Sequence, residues 1–254
     1  KTFAAYMRTK ISLLRRSKIV VINRDEAEAY NKASSLLRRK RSITYGIHRD
    51  AQVTPKTHPF TTKLIGQFNR YNCLAAIAAA NALGVSSRVI QKALFAFTGV
   101  PGRMEVVSEK PFRVIVDFAH TPNAIEQVLK TLRPMTKKRL IHVFGSAALR
   151  DRTKRPLMAK ASARYADVII LTEEDYRTED VNRIIDEIAL GITPGPEVHR
   201  YPDRTKAIEF ALSLGKPGDC VMITGKGHEK SIARGKTEYP WSDQEVVRSY
   251  AAKT

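Results

Sequence analysis

The sequence predicts an α/β protein whose C-terminal part is an open, mostly parallel sheet covered by helices. Three observations predict it. Short, β-branched apolar runs recur after about residue 103, segments of helical period separate them, and each run ends in a polar cluster. Runs that are apolar throughout belong to strands buried on both faces, as in parallel sheets. Strand–helix alternation with right-handed crossovers is how such strands join one layer.

Thr2–Leu14 has helical spacing, Lys18–Ile22 reads as a strand, and Glu26–Arg38 as a polar helix. Residues 43–62, with Pro55 and Pro59, read as loop. Alanine-rich Phe68–Leu83 predicts a tightly packed core helix, and Ser86–Phe97 a second one. One strand and four helices make a poor α/β domain, so residues 1–100 read as part of something larger. From 101 to 254 the strands are Phe112–Asp117, Arg139–Phe144, Asp167–Leu171 and Asp219–Ile223. The helices are Asn123–Leu132 after its Thr121-Pro122 start signal, Arg155–Tyr165, Val181–Leu190, Arg204–Leu214 and Asp243–Ala251. Asp180 and Asp203 stand where N-caps belong, and Gly191 and Gly215 where C-caps belong.

Composition bounds the class. The 254 residues suit one large domain or two small ones. Hydrophobic residues at 43% and charged residues at 27% are globular values, which excludes wholesale disorder. Apolar runs reach about six residues, against the ~18–20 that cross a bilayer, and no stretch has the order of a secretion signal. Cys73 and Cys220 lie far apart inside apolar segments and read as buried thiols. Forty-four Lys and Arg against 25 acids give a net charge of +19, enough to attract a polyanion. The clusters Arg15-Arg16, Arg38–Arg41 and Lys137–Arg139 lack interleaved aromatics, so nucleic acid is not the expected partner. A phosphate-rich small substrate or a basic solvated face fits as well.

Ligands of open α/β sheets sit beyond the carboxyl ends of the strands. The candidate site is therefore the set of segments just past the strand ends: Asp117–Pro122, Gly145–Arg155, Thr172–Arg177 and Gly225–Glu229. A lone Asp-x-x-His is commonly a helix cap, but four polar clusters on one edge call for a ligand. Their mixture of cations and carboxylates suits a zwitterionic or anionic substrate held by arginine forks. Glycines flanking Lys226 suggest close backbone approach, with Lys226 and His228 near a phosphate or carboxylate. Gly235-Lys236-Thr237 imitates the end of a phosphate loop, but Lys230 stands where the first glycine belongs, so it reads as a turn. No complete phosphate loop, zinc-spaced Cys/His set or Gly-x-Ser-x-Gly elbow occurs.

These clusters resemble a known family. Phe68-Asn69-Arg70-Tyr71-Asn72, Gly102-Arg103-Met104-Glu105, Val116-Asp117-Phe118-Ala119-His120-Thr121-Pro122, Arg150-Asp151 with Lys154-Arg155-Pro156, and Gly225–Glu229 occur in the order found in Mur ligases. The closest likeness is to the MurE type, the UDP-N-acetylmuramoyl-tripeptide synthetases. It spans residues 60–254 and is fainter before them. There, Tyr6-Met7-Arg8-Thr9-Lys10 resembles the helix bearing a carbamylated lysine that helps hold Mg²⁺, and Val21–Asp25 the strand after that helix.

The resemblance implies a Rossmann-like C-terminal domain at 101–254, preceded by a truncated remnant of the central ATPase domain at 1–100. It implies ATP and Mg²⁺ as cofactors, and UDP-muramoyl-dipeptide and a diamino acid as substrates. The product would be an amide formed through an acyl phosphate in cytoplasmic peptidoglycan synthesis, by a monomer. Asn69 and Asn72 would flank the adenine, Arg103 would meet the phosphates and Asp117 the ribose, with His120 beside them in the catalytic set. Arg150, Glu174, Asp175, Arg177, Gly225 and Glu229 would bind the diamino acid. Two departures matter. The Asp-Asn-Pro-Arg selectivity motif appears as Glu174-Asp175-Tyr176-Arg177, keeping the arginine that favours meso-diaminopimelate but losing the rigid proline. The UDP-binding domain and the Gly-Thr-x-Gly-Lys-Thr loop are missing, so the chain is expected to be a C-terminal portion or a degenerate relative, inactive alone. Alternatives are another amide ligase of the superfamily, such as a folylpolyglutamate synthetase, and a non-catalytic binding module.

Overall fold

The structure is a computed structural model that describes residues 2–253. The chain divides after Thr98 into two compact units. The first contains α1 (Phe3–Arg16), β1 (Ile19–Asn23), α2 (Ala27–Leu37), β2 (Arg41–Tyr45), α3 (Gln67–Ala82) and α4 (Ser87–Ala96). β1 and β2 pair in parallel, Ile19 opposite Arg41 through Asn23 opposite Tyr45. Their side chains alternate between two small cores, as strand pleating requires. Val20 and Ile22 pack with Leu14, Tyr30, Ala33 and Leu37, while Val21, Ile43 and Tyr45 pack with Leu74, Ile77 and Ala78 of α3. Of the Ala-rich helix, Cys73, Leu74, Ile77 and Ala78 form the buried stripe.

β2 corrects the expectation of loop across 43–62. It hides because the strand is short and opens inside the basic run Arg38–Arg41, which leaves only Ile43 and Tyr45 as apolar signals. Val53, also inside the expected loop, is buried and bridges Tyr45.

One carboxylate organises this unit. Asp25 accepts hydrogen bonds from the backbone N–H of Ile47 (2.7 Å), His48 (3.0 Å) and Arg49 (2.8 Å), and from the Tyr71 hydroxyl (2.8 Å). It thereby fastens the turn after β2 to α3. Burial alone pushes its pKa up, but the four donors outweigh that and hold it down at about 2, against an ordinary 3.8.

The second unit contains β3 (Glu105–Ser108), β4 (Arg113–Asp117), α5 (Pro122–Leu132), β5 (Leu140–Phe144), α6 (Lys154–Ala163), β6 (Val168–Leu171) and α7 (Val181–Ala189). It continues with β7 (Glu197–Arg200), α8 (Arg204–Leu214), β8 (Cys220–Thr224), β9 (Ser231–Arg234), β10 (Thr237–Pro240) and α9 (Asp243–Ala251). Six strands form one sheet in the order β3-β4-β8-β5-β6-β7, parallel except for β3 against β4. Valines and isoleucines of the four central strands pack under Ala207, Ile208, Ala211 and Leu212 of α8 and Val247 of α9. α6 covers the opposite face, where His142 meets Ser162 at 2.8 Å.

All four expected strands lie in this sheet. β3 and β7 give no signal in the sequence because they are short edge strands without an apolar run; β7 is half-buried at one residue and exposed at three. β9 and β10 pair antiparallel around Gly235-Lys236, so the phosphate-loop mimic is a hairpin turn. Thr121, Asp180 and Asp203 cap their helices by accepting from Ala124, Asn182 and Lys206 N–H groups. Gly215 caps α8, but α7 ends on Leu190, one residue before Gly191. Cys73 and Cys220 are free and buried.

The depressed pKa of Asp25 has a definite sign in stability. Its contribution is complete above the unfolded value of 3.8 and is lost as pH falls towards about 2. Asp25→Ala should therefore destabilise the chain at neutral pH by roughly 1–3 kcal/mol. In urea unfolding followed by circular dichroism, the gap from the parent chain should close as pH is lowered through that window.

Candidate functional site

The carboxyl ends of β4, β8, β5 and β6 form adjoining loops. At the end of β4, the Asp117 carboxylate accepts from the backbone N–H groups of Met104 (2.8 Å) and Ala119 (2.7 Å). It joins the segment before β3 to the loop after β4, and burial raises its pKa in spite of those donors. The exposed guanidinium of Arg103 lies 4.5 Å from the centre of the Phe118 ring, whose other neighbours are His120 and His228. Lys154, in the first turn of α6, donates to the His120 carbonyl at 2.8 Å.

After β5 the chain turns through Leu149 at φ 56°, where its N–H donates to Glu179 at 2.7 Å. Glu179 in turn meets Arg155 at 3.0 Å, and this fully buried arginine also holds Glu187 at 2.7 Å. Arg155 is therefore a brace linking α6, α7 and the loop after β6, while Arg150 and Asp151 stay exposed beside the cleft.

The loops after β6 and β8 are joined by Lys226. Its ammonium is almost fully buried and lies 2.8 Å from Asp175 and 2.6 Å from Glu229. The sequence leads one to expect a phosphate or carboxylate near Lys226; the carboxylates are the chain's own. Asp175 also accepts from Ala233 N–H at 3.0 Å, which draws the β9–β10 hairpin in. Arg177 sits at φ 48° between two hairpin bonds: its N–H donates to the Ala233 carbonyl (3.2 Å) and its carbonyl accepts from Gly235 N–H (2.7 Å). These bonds tie the loop that carries Tyr176, in place of the proline, to the β9–β10 hairpin. Gly225, at φ +112°, lies against the Glu174 carboxylate, 2.7 Å from where a Cβ would sit. A side chain there is excluded both by conformation and by space.

These loops enclose a cleft of about 440 Å³ whose lining includes His120, Arg150, Glu174, Asp175, Arg177 and Glu229. Asp117, Arg103 and Gly225 are not among the lining residues: Asp117 is turned to backbone amides, Arg103 to Phe118, and Gly225 backs Glu174. Lys154 and Asp151 also line the cleft; the sequence placed both in the polar segment after β5 but gave neither an individual role. A signal for Lys154 existed, because a cation in the first turn of a helix opposes the macrodipole and calls for another reason to be there. Burial lowers the Lys154 pKa, against the pull of Glu174 and Asp151. Cations and carboxylates thus line one space together, a mixture complementary to a zwitterion.

The other expected residues belong to the first unit. Asn69 donates to the Ile65 carbonyl at 2.8 Å, Asn72 donates to Asn69 at 3.0 Å, and exposed Lys10 stands 5.4 Å from the Tyr6 ring centre on α1. Among the described residues, no three His, Cys, Asp or Glu side chains gather as a metal ion requires. Those side chains do not make a Mg²⁺ site by themselves.

Residues 102–227 match the family described as Mur ligase, glutamate ligase domain, and the chain belongs to the Mur ligase family. Within that family it is similar to the UDP-N-acetylmuramoyl-L-alanyl-D-glutamate--2,6-diaminopimelate ligase of Aquifex aeolicus (strain VF5). The two are 41% identical over 266 residues, covering 98% of this chain and 55% of that protein. A solved structure of a ligase with the same name is 32% identical with a TM-score of 0.62, covering 100% of this chain and 57% of its own. A pseudomurein peptide ligase type C from Methanothermus fervidus shares the fold at a TM-score of 0.74 and 19% identity, covering 99% of this chain and 60% of its own. The chain spans about half the length of the curated relatives it matches. No helix among the described residues is long and apolar enough to cross a membrane.

Lys226 bridges Asp175 and Glu229. Lys226→Met should leave both carboxylates without that partner and cost about 3 kcal/mol in chemical unfolding. Lys226→Arg, which keeps the charge, should recover part of that loss.

Proposed function

We propose that this chain is the C-terminal part of an ATP-dependent ligase that adds a diamino acid, meso-diaminopimelate, to UDP-N-acetylmuramoyl-L-alanyl-D-glutamate. The observation that carries the reading is the cleft itself. Two guanidinium groups, Arg150 and Arg177, stand with Asp175 and Glu229 around about 440 Å³, as a ligand bearing two carboxylates and ammonium groups would require. The names of the relatives supply the chemistry. ATP, when bound, supplies the phosphoryl group that converts the dipeptide's carboxylate into an acyl phosphate. The diamino acid's nitrogen then bonds to the carbonyl carbon, the bond to phosphate breaks, and the nitrogen gives up a proton.

The task of this chain's residues is positioning. Arg177, fixed by the hairpin, takes the distal carboxylate in a fork. Arg150 takes the proximal carboxylate, Glu229 faces an ammonium, and Asp175 and Gly225 complete the diamino-acid set. Holding the nucleophile in register replaces a bimolecular encounter by a local one. Arg103 would neutralise phosphate charge, Asp117 would meet the ribose hydroxyls, and His120 stands between the two sets. Asn69 and Asn72 would serve the adenine, and Lys10, once carbamylated, a Mg²⁺ ion. On this reading the first unit is the remnant of the central ATPase domain, and the protein works as a cytoplasmic monomer.

Two measurements test this. Calorimetric titration should show meso-diaminopimelate binding the chain more tightly than lysine. Arg177→Ala should weaken diaminopimelate roughly ten- to a hundredfold, as expected from losing one charge-assisted pair of about 1.5–3 kcal/mol, and hardly change lysine. Equal losses would remove Arg177 as selector. Separately, the 254-residue chain lacks the Gly-Thr-x-Gly-Lys-Thr loop, whose amides and lysine cradle phosphates. It should show no magnesium-dependent ATP turnover that Arg103→Ala abolishes.

A further inference from the structure

The cleft contains one carboxyl group that its own surroundings leave unserved. Glu174 is 6% exposed, and its Oε2 has no hydrogen-bond partner among the described residues. Four basic groups stand near it: Arg204 on α8, Lys154 on α6, His120 after β4 and Lys226 after β8. The hydrogen bonds of the first, second and last go elsewhere. Arg204 donates to Asp243 and to the Glu173 and Thr224 carbonyls, Lys154 to the His120 carbonyl, and Lys226 to Asp175 and Glu229. His120 Nδ1 lies 3.0 Å from the Phe118 carbonyl. Gly225 presents only backbone beside Oε2. An ionised carboxylate so buried, with no donor on that oxygen, carries a desolvation cost that protonation removes.

We propose that Glu174 holds its proton while the cleft is empty and releases it to solvent when a ligand ammonium reaches the cleft floor. This rests on the diamino-acid reading of the cleft. The step balances: a neutral carboxyl and an ammonium become a carboxylate–ammonium pair, and one proton passes to the buffer. Burial raises the Glu174 pKa, with Arg204, Lys154, His120 and Lys226 pulling the other way. Across the cleft stand Arg150, Asp151, Asp175, Arg177 and Glu229. Below the raised pKa, binding should tighten as pH rises, by up to about tenfold per pH unit. Above it, the dependence should flatten.

The test is calorimetric titration of the chain with meso-diaminopimelate in two buffers of different ionisation enthalpy, over a range of pH. The parent chain should release about one proton per ligand at the acid end. Glu174→Gln, which preserves shape, should bind without that release and with a flatter pH profile; any contribution from His120 survives in this variant and cancels in the comparison. Equal proton release by both proteins, or none by the parent, overturns the proposal while leaving the diamino-acid reading intact. Absence of binding by both overturns that reading instead. The carboxyl ¹³C resonance of Glu174 in the ligand-free chain, assigned by the same variant, then decides: titration near the ordinary 4.5 refutes the proposal, and titration well above it supports it.

Discussion

The carboxyl edge of the sheet depends on Arg204. This side chain is fully buried, and its guanidinium spans the ends of β6 and β8, which are separated by β5. It donates twice to Asp243 (2.8 Å each) and once each to the carbonyls of Glu173 (3.1 Å) and Thr224 (2.9 Å). Trp241 adds a fifth bond, donating to the same Asp243 carboxylate. A buried ion pair stabilises only when geometry and further hydrogen bonds offset the loss of water. Here the guanidinium satisfies carbonyls at two strand ends as well as its own counter-ion. The loops bearing Glu174, Asp175 and Gly225 begin where this clamp ends.

Outward from that clamp, the charges divide into the committed and the spare. Glu173 is committed to Arg234, Asp175 and Glu229 to Lys226, and Arg155 to Glu179 and Glu187. These pairs set the loops rigidly enough to hold Leu149 and Arg177 at positive φ, a conformation that non-glycine residues keep only when their surroundings impose it. Glu174, the cleft face of Arg150 and the Arg177 guanidinium, 3.9 Å from Asp175, are what remains among the described residues. The site is thus a set of unsatisfied groups carried on a satisfied frame, the condition under which a ligand gains more from binding than water does.

The same division explains why the hairpin matters. β9 and β10 lie outside the main sheet, yet Ala233 bonds Asp175 and Arg177, and Gly235 bonds Arg177. A short antiparallel hairpin thereby stiffens the loop that carries the candidate selector.

Much was legible in the residues themselves. The apolar runs of β4, β5, β6 and β8, the caps at Thr121, Asp180 and Asp203, and the polar clusters after each strand are local signals, set by period and by side-chain chemistry. They suffice to define an α/β sheet with a ligand edge, because strands buried on both faces and helix starts have their own residue requirements. Edge strands β3 and β7 and the short β2 carried no such signal, since pairing partners rather than composition make them strands. Within the site, position after a strand singled out Asp117, Glu174 and Lys226, and the family resemblance added Arg103. Only the tertiary structure separated them: it turned Asp117 to backbone amides, stacked Arg103 on Phe118, locked Lys226 between two carboxylates and left Glu174 unpaired. Which polar group is spare depends on donors brought together from β4, β6, β8, α6 and α8, and sequence distance does not encode that proximity.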